Sequence, residues 1–451
     1  MNEKRVEMSV LDSTVRSSNF EEVEKGYTKE EALKEANRCL NCKNPMCTKG
    51  CPVGIEIPKF IEAIKNDDIN KAFEIIKKSS NLPAICGRVC PQEKQCEGKC
   101  IRGLKGESIA IGALERYVAD QARLNNINSV VKKEKNGKSV AIIGSGPAGL
   151  SCAGELIKEG FDVTIFEALH KAGGVLIYGI PEFRLPKDIV ESEVKSLTDM
   201  GVKIVYDTLV GSTISLDEIR KNYDYIFIGT GAGLPKFMDI EGIDANGVFS
   251  ANEILTRINL MKSYKEGSKT PIKKAKIAYV IGGGNVAMDA VRCLKRLGIE
   301  SHIMYRRSMD EMPARKREVE HAIEEGIIFD VLQNPKKIIT DEYNNVIGME
   351  VVDMELSDIV DGRRSVIENT NFIHYKDCDM VVMALGTTPN SKVFKNTNLN
   401  IDDKGLIIVD DTLTSIDNVY AGGDITTGSA TVILAMEAGK KAAKKIIDLN
   451  S

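Results

Sequence analysis

Residues 139–167 read SVAIIGSGPAGLSCAGELIKEGFDVTIFE: an apolar β-branched run, a glycine turn, a helix-length stretch, and a second β-branched run ending in an acid. Gly144, Gly146 and Gly149 fit G-x-G-x-x-G directly after the strand VAII. In that arrangement the first glycine permits the tight turn, the second lets a pyrophosphate approach the backbone, and the third lets helix and strand pack closely. Pro147 and Ala148 begin the helix, whose free N–H groups and dipole suit phosphates. Glu167 follows Gly144 by 23 residues, where a carboxylate accepts ribose hydroxyls. Glycine triplets also serve ordinary turns, but here strand, helix and terminal acid are in register, so a dinucleotide site is expected.

A second copy of the pattern, KIAYVIGGGNVAMDAVRCLKRLGIESHIMYRR, begins at Lys276. Gly282, Gly283, Gly284, Asn285 and Ala287 give G-G-G-N-x-A after an apolar strand. The following strand ends not in an acid but in Arg306 and Arg307. Arginines at a strand end can simply be solvated, yet a guanidinium there binds a 2′-phosphate that an acid would repel, so NADPH is expected over NADH. The third glycine cluster, VYAGGDI (419–425), places Gly422, Gly423 and Asp424 before the apolar stretch ATVILAMEAGKKAA, which contains Thr431. This resembles the C-terminal FAD motif of the flavoproteins with two dinucleotide-binding domains. There the aspartate holds the ribityl and pyrophosphate side, and the next helix points its N-terminus at the flavin. IGTGA (228–232, with Gly231) and MALGTTPN (383–390, with Gly386) resemble that family's two crossovers. On that pattern the first repeat holds FAD and the second is an inserted NADPH domain.

The chain has 451 residues, 43% apolar and 28% charged, with 61 basic and 65 acidic side chains and a formal charge of −4. This is enough for two or three domains and excludes disorder over most of the chain. It gives no reason to expect nucleic acid or anionic membrane as partner. No apolar h-region opens the sequence, and no stretch approaches the roughly 18 apolar residues of a membrane span. A cytoplasmic protein with reduced thiols is therefore expected. The fold class expected is α/β: a helical N-terminal domain over 1–130, with Thr28 as a helix cap and two helices joined at Asn66–Asp68. A linker follows at 131–138, then an FAD domain over 139–250 and 373–451 and an NADPH domain over 251–372.

Eight of 11 cysteines lie between Cys39 and Cys100. They read Cys39-x2-Cys42-x4-Cys47-x3-Cys51-Pro52, then Cys86-x3-Cys90-Pro91-x4-Cys96-x3-Cys100. Each half carries Cys-Pro, close to the bacterial ferredoxin run whose fourth cysteine serves the other cluster. Structural zinc is the rival, but it usually shows paired CxxC motifs, and only one CxxC occurs. Two [4Fe–4S] clusters are expected.

Together with EEVEKGYTKEEALKEANRCLNC, GCPVGIEIPKFI, ICGRVCP and GGVLIYGIPEFRLP, these motifs resemble, end to end, the small-subunit family of NADPH-dependent glutamate synthase. The same superfamily includes the N-terminal half of dihydropyrimidine dehydrogenase and the large subunit of NADH-dependent reduced-ferredoxin:NADP oxidoreductase. The resemblance implies Cys39, Cys42, Cys47 and Cys100 on one cluster and Cys51, Cys90, Cys96 and Glu115 on the other. Cys86 is then left over; by counting alone it would be the eighth ligand. The loop with Gly173, Gly174, Tyr178, Gly179, Pro181 and Arg184 resembles the family's flavin-facing segment, although a tight structural loop would look the same. Cys152 and Cys293 lie inside helices as packing thiols, and the four scattered histidines suggest no triad.

The function implied is an oxidoreductase that passes electrons between NADPH, FAD and two clusters, with no acid–base pair required of the protein. The partner implied is a glutamate synthase large subunit or, alternatively, a ferredoxin or NADH-binding flavoprotein subunit of an electron-bifurcating ferredoxin–NADP oxidoreductase. A non-enzymatic assembly module with structural clusters is a third, less favoured reading, and a homo-oligomer is left open. No cysteine precedes Cys39, whereas the family's large subunit uses an N-terminal cysteine as amidotransferase nucleophile. Glutamine-dependent synthesis by this chain alone is therefore not expected.

Overall fold

A computed structural model describes residues 4–127, 132–360 and 362–450. The first glycine motif sits in a five-stranded parallel sheet of β1 (Ser139–Ile143), β2 (Asp162–Phe166), β3 (Lys203–Val205), β4 (Tyr225–Ile228) and β15 (Val419–Ala421). Its order is β15-β4-β1-β2-β3. The second motif sits in another parallel sheet, of β6 (Val248–Ser250), β7 (Ile277–Ile281), β8 (Glu300–Tyr305), β9 (Ile328–Val331) and β13 (Met380–Met383), in the order β6-β13-β7-β8-β9. Strands buried on both faces read as unbroken apolar runs, which is why VAII and IAYVI signalled parallel sheets. Both glycine turns stand at the carboxyl end of the central strand, where open α/β sheets bind ligands.

Sheet membership draws the second domain wider than the expected 251–372, because β6 and β13 pair within its sheet. An antiparallel sheet of β10 (Gln333–Thr340), β11 (Val346–Val360) and β12 (Arg363–Asp377) precedes β13. The two crossovers meet: β5 (Leu234–Pro235) pairs antiparallel with β14 (Thr387–Thr388).

The N-terminal segment is helical. Thr28 caps Lys29–Asn37 through a capping box with Glu31, and Ile57–Lys65 and Ile69–Lys77 are joined at Asn66–Asp68. These helices and Ile111–Leu124 share one apolar core with Pro147–Lys158 and Val432–Asp448 of the first nucleotide domain. The cysteine-bearing domain thus packs on the domain of the first glycine motif. Of the expected linker, Val131, like 128–130 before it, lies outside the described residues. The rest lies along the end of Pro147–Lys158, with the Lys133 N–H on Lys158 O (2.9 Å) and the Asn136 N–H on Gly160 O (3.1 Å).

An ion-pair network locks the domains together. Glu325, fully buried, accepts from Arg292 (2.7 and 3.0 Å), Arg296 (2.6 and 3.0 Å) and Arg16 (3.2 Å). The Arg292 and Arg296 guanidinium carbons lie 4.7 and 3.8 Å from the Phe183 ring centroid. Although burial pushes the other way, these arginines hold the Glu325 carboxyl at about 2. Glu325→Gln leaves buried guanidinium charge uncompensated, and we expect it to cost about 3–5 kcal/mol near neutral pH. A depressed folded-state pKa contributes stability above the unfolded value, near 4.3, and loses it as pH falls toward 2. Urea denaturation at pH 7 and pH 3 checks this: the gap between wild type and variant should narrow at the lower pH.

Candidate functional site: two nucleotide cradles and a cysteine domain

In the first cradle Gly144 has φ +97°, and a Cβ on Gly149 would lie 2.0 Å from Gly144 O. Beside Gly146 nothing stands within 4 Å of where a Cβ would be, which leaves room for a ligand. The helix Pro147–Lys158 starts there with no side-chain cap, so its first N–H groups face that room. Glu167 is buried and accepts from the Ser145 N–H (2.9 Å), the Leu169 N–H (2.8 Å) and the Ser145 hydroxyl. The same hydroxyl accepts from the Gly173 N–H (3.0 Å), and a Cβ on Gly174 would come within 2.9 Å of Gly146 Cα.

The C-terminal motif closes the cradle. Gly423 lies against Ala148, and a Cβ on Gly439 would reach 2.1 Å from Ala148 O, so Pro147–Lys158 and Val432–Asp448 cross almost backbone to backbone. Asp424 accepts from the Ala430 N–H (3.1 Å), and burial pushes its carboxyl up to about 6. Thr431 caps the final helix by accepting from the Leu434 N–H (3.4 Å). Gly231 and Gly386, both left-handed and open, stand in the crossovers. Ser429, which the sequence reading missed, ties β14 to this loop through the Thr387 hydroxyl (2.7 Å). Arg184 is engaged by carboxylates of the second domain. It makes two hydrogen bonds to Asp289 (2.7 and 2.8 Å) and one ion pair to Glu318 (3.0 Å), so second-domain carboxylates consume its charge.

In the second cradle Gly283 faces the Tyr305 ring, and the space beside Gly284 is open where Asn285–Arg296 begins without a side-chain cap. Arg306 is exposed, and half-buried Arg307 donates to Arg364 O (2.6 Å). Asn285 accepts from the Arg315 N–H (2.9 Å), while the Arg315 side chain donates to Gln92 (3.0 Å) in the cysteine domain. Gln92 in turn donates to Cys86 O (3.2 Å). The second cradle is therefore mechanically joined to the cysteines.

The thiols fall into two groups. Cys39, Cys42, Cys47 and Cys100, all half-buried, line a cavity of about 340 Å³ with Ile57, Ile61, Ile109 and Ile111. Among the described residues no three His, Cys, Asp or Glu groups converge as ligands of a single ion would; these thiols instead surround a space. In the other group Cys90, Cys96 and Glu115 are buried and Cys51 is half-buried. Cys86 hydrogen-bonds to Cys90, whose thiol is pushed up by burial and by Glu115, Cys96 and Cys51; burial, Glu97, Glu115 and Cys51 push up the Cys96 thiol in the same way. Glu115 Oε1 has no hydrogen-bond partner, and burial, aided by Glu193, pushes the carboxyl up to about 8. An orphaned carboxylate beside three thiols fits a ligand to iron. Cys86 stands beside Cys90, with its Sγ 3.5 Å from Met436 Sδ and 3.9 Å from Ser80 Oγ.

Residues 16–127 match the family described as dihydropyrimidine dehydrogenase domain II, 4Fe-4S cluster, and residues 138–439 match pyridine nucleotide-disulphide oxidoreductase. The glutamate synthase [NADPH] small chain of Escherichia coli is 34% identical, over 96% of this chain and 94% of its own length. The chain belongs to the glutamate synthase small-chain family of pyridine nucleotide-disulphide oxidoreductases. It is an NADPH-dependent flavin oxidoreductase with FAD and 4Fe–4S chemistry. The NADP(+)-dependent formate dehydrogenase subunit beta of Moorella thermoacetica is 37% identical over 89% of this chain, which spans only 59% of that subunit. Mycobacterium tuberculosis FprA, 19% identical, superposes with a TM-score of 0.59 over 69% of this chain and 84% of its own, a likeness of fold alone. Among the described residues no helix is long and apolar enough to cross a membrane.

Proposed function

We propose that this family member is the NADPH-oxidising small subunit of a glutamate synthase, which feeds electrons to a larger partner subunit. When bound, NADPH supplies a hydride, FAD accepts the pair, and two [4Fe–4S] clusters carry electrons singly. The chain's own residues bind and orient. The Gly146 turn and its helix N-terminus hold one pyrophosphate, Glu167 accepts ribose hydroxyls, and Asp424 serves the ribityl side. The Gly284 turn holds the second pyrophosphate, and Arg306 and Arg307 hold the 2′-phosphate. Cys39, Cys42, Cys47 and Cys100 bind one cluster, and Cys51, Cys90, Cys96 and Glu115 the other.

The observation that carries this reading is the join between cradle and cysteines. Met436 and Lys440 lie on the helix that closes the first cradle; Met436 touches Cys86, and Lys440 donates to Val53 O (3.2 Å) in the cysteine domain. The helix that closes the first cradle thus also borders the cysteine domain. The test is glutamate formation from 2-oxoglutarate, glutamine and NADPH by the protein reconstituted with a glutamate synthase large subunit. Turnover only with both chains supports the reading. A holoprotein that oxidises NADPH with ferredoxin but forms no glutamate complex overturns it.

For the second cradle we expect Arg306→Ala/Arg307→Ala to raise the KM for NADPH by about tenfold to a hundredfold, the worth of charge-assisted hydrogen bonds, and to leave NADH nearly unaffected. Steady-state kinetics with both nucleotides checks this.

A further inference from the structure

Lys440 is half-buried, and among the described residues it makes no ion pair. Its ammonium donates instead to two backbone carbonyls, Val53 O (3.2 Å) and Ser79 O. The acid that acts on it, Glu155, is shared with Lys158 (3.5 Å) and Asn81 (2.7 Å). Drawing an ammonium partly out of water onto neutral carbonyls is costly unless negative charge stands near. The place of Lys440 says where that charge belongs. Met436 and Lys440, four residues apart, share the helix face that meets the cysteine domain, and Lys440 acts electrostatically on Cys51.

The turn after Cys51 is built around its sulfur. The N–H groups of Ile55, Val53 and Gly54 donate to Cys51 Sγ, and Gly54 takes the left-handed conformation (φ +74°). Val53 O and the Gly54 N–H belong to one trans peptide and point in opposite directions. Lys440 therefore pulls on the oxygen of the peptide whose hydrogen meets the sulfur, and hydrogen bonds in such a chain polarise one another. Ammonium, peptide and sulfur stand in series.

We propose that Lys440 sets the reduction potential of the iron–sulfur centre that Cys51 ligates, raising it above the value the cysteine domain alone would give. The proposal rests on the assignment of Cys51, Cys90, Cys96 and Glu115 to one [4Fe–4S] cluster. A cluster with four anionic ligands is negatively charged, and reduction deepens that charge. A fixed ammonium favours the reduced form, through space and through the hydrogen bond to Cys51 Sγ, and both are levers on cluster potential. Because it acts through the Val53–Gly54 peptide, Lys440 is a positioning residue.

Potentiometric titration of the anaerobic holoprotein, read by EPR of frozen samples, tests this. The signal that Cys51→Ala loses marks the cluster in question. Lys440→Gln keeps a donor but not the charge. At the wild-type midpoint it should lower the ratio of reduced to oxidised cluster by about tenfold, or about 59 mV for one electron. Lys440→Arg should hold the wild-type potential, and the other cluster should titrate nearly as in wild type in each variant. Glu155→Gln removes the acid that acts on Lys440 and should shift the potential the other way, so the sign is readable even where Lys440→Gln binds less iron. A potential that Lys440→Gln leaves unmoved, or that Lys440→Arg lowers as far as Lys440→Gln does, overturns the proposal. A wild type with a single cluster, or a Cys51→Ala variant that keeps both, defeats the cofactor assignment instead, and the role of Lys440 falls with it.

Discussion

Gly149→Val yields a chain that holds less than about a tenth of the wild-type flavin and has lost NADPH oxidation. A Cβ at this position would lie 2.0 Å from Gly144 O and 3.1 Å from Gly144 C, so the obstacle is backbone and cannot rotate away. The helix Pro147–Lys158 would have to leave β1, yet on its other side Val432–Asp448 is already pressed to it, with 2.1 Å between a Gly439 Cβ and Ala148 O. Ordinary overpacking costs about 1–3 kcal/mol, and a helix trapped between two backbones exceeds that. Gly146→Ala separates folding from binding. The space beside Gly146 is open, so this variant should keep the wild-type melting temperature while its methyl group intrudes on the phosphate and flavin affinity falls. Absorbance of the bound flavin and thermal melting read the two effects independently. Full flavin occupancy in Gly149→Val contradicts the assignment of this cradle.

Glu115→Leu breaks the electron path while stabilising the cluster-free chain. Glu115 Oε1 is buried without a partner, and the carboxyl is pushed up to about 8. An unsatisfied buried polar group costs about 1–3 kcal/mol, which a leucine of similar volume removes. We therefore expect the iron-free variant to unfold at higher urea than the iron-free wild type. After reconstitution it should hold one cluster where the wild type holds two, and NADPH should still bleach its flavin, while reduction of a protein carrier falls by about a hundredfold or more as the path is cut. Iron analysis and EPR count the clusters. If Glu115→Leu retains both and Cys86→Ala loses one, the eighth ligand is Cys86.

Both parallel sheets were legible because each combined a buried apolar strand, a glycine spacing and a distinct terminal residue, an acid at Glu167 and a base at Arg306. The cap at Thr28 and the break at Asn66–Asp68 were equally readable, since caps and turns are local. Contacts between distant segments were not. Arg184 finds Asp289 105 residues away, and Cys86 finds Met436 350 residues away. Nothing in the spacing of either residue announces such a partner. The margins of the second domain were blurred because β6 and β13 are only three and four residues long; they join that sheet by pairing, not by any pattern of their own. Within the cysteine run, eight thiols of similar spacing carried no mark of which of them would hold iron. The orphaned Glu115 oxygen supports the choice, and burial is a property of the fold.

One chain that joins a pyridine nucleotide to iron–sulfur centres through a flavin must pass reducing equivalents from the first to the last. Stepwise anaerobic titration of the holoprotein with NADPH, followed by flavin absorbance and by EPR of frozen samples, tests it most directly. The flavin should bleach and reduced-cluster signals should grow with each addition. A flavin that stays oxidised under excess NADPH, or clusters that stay oxidised while the flavin bleaches, would contradict it.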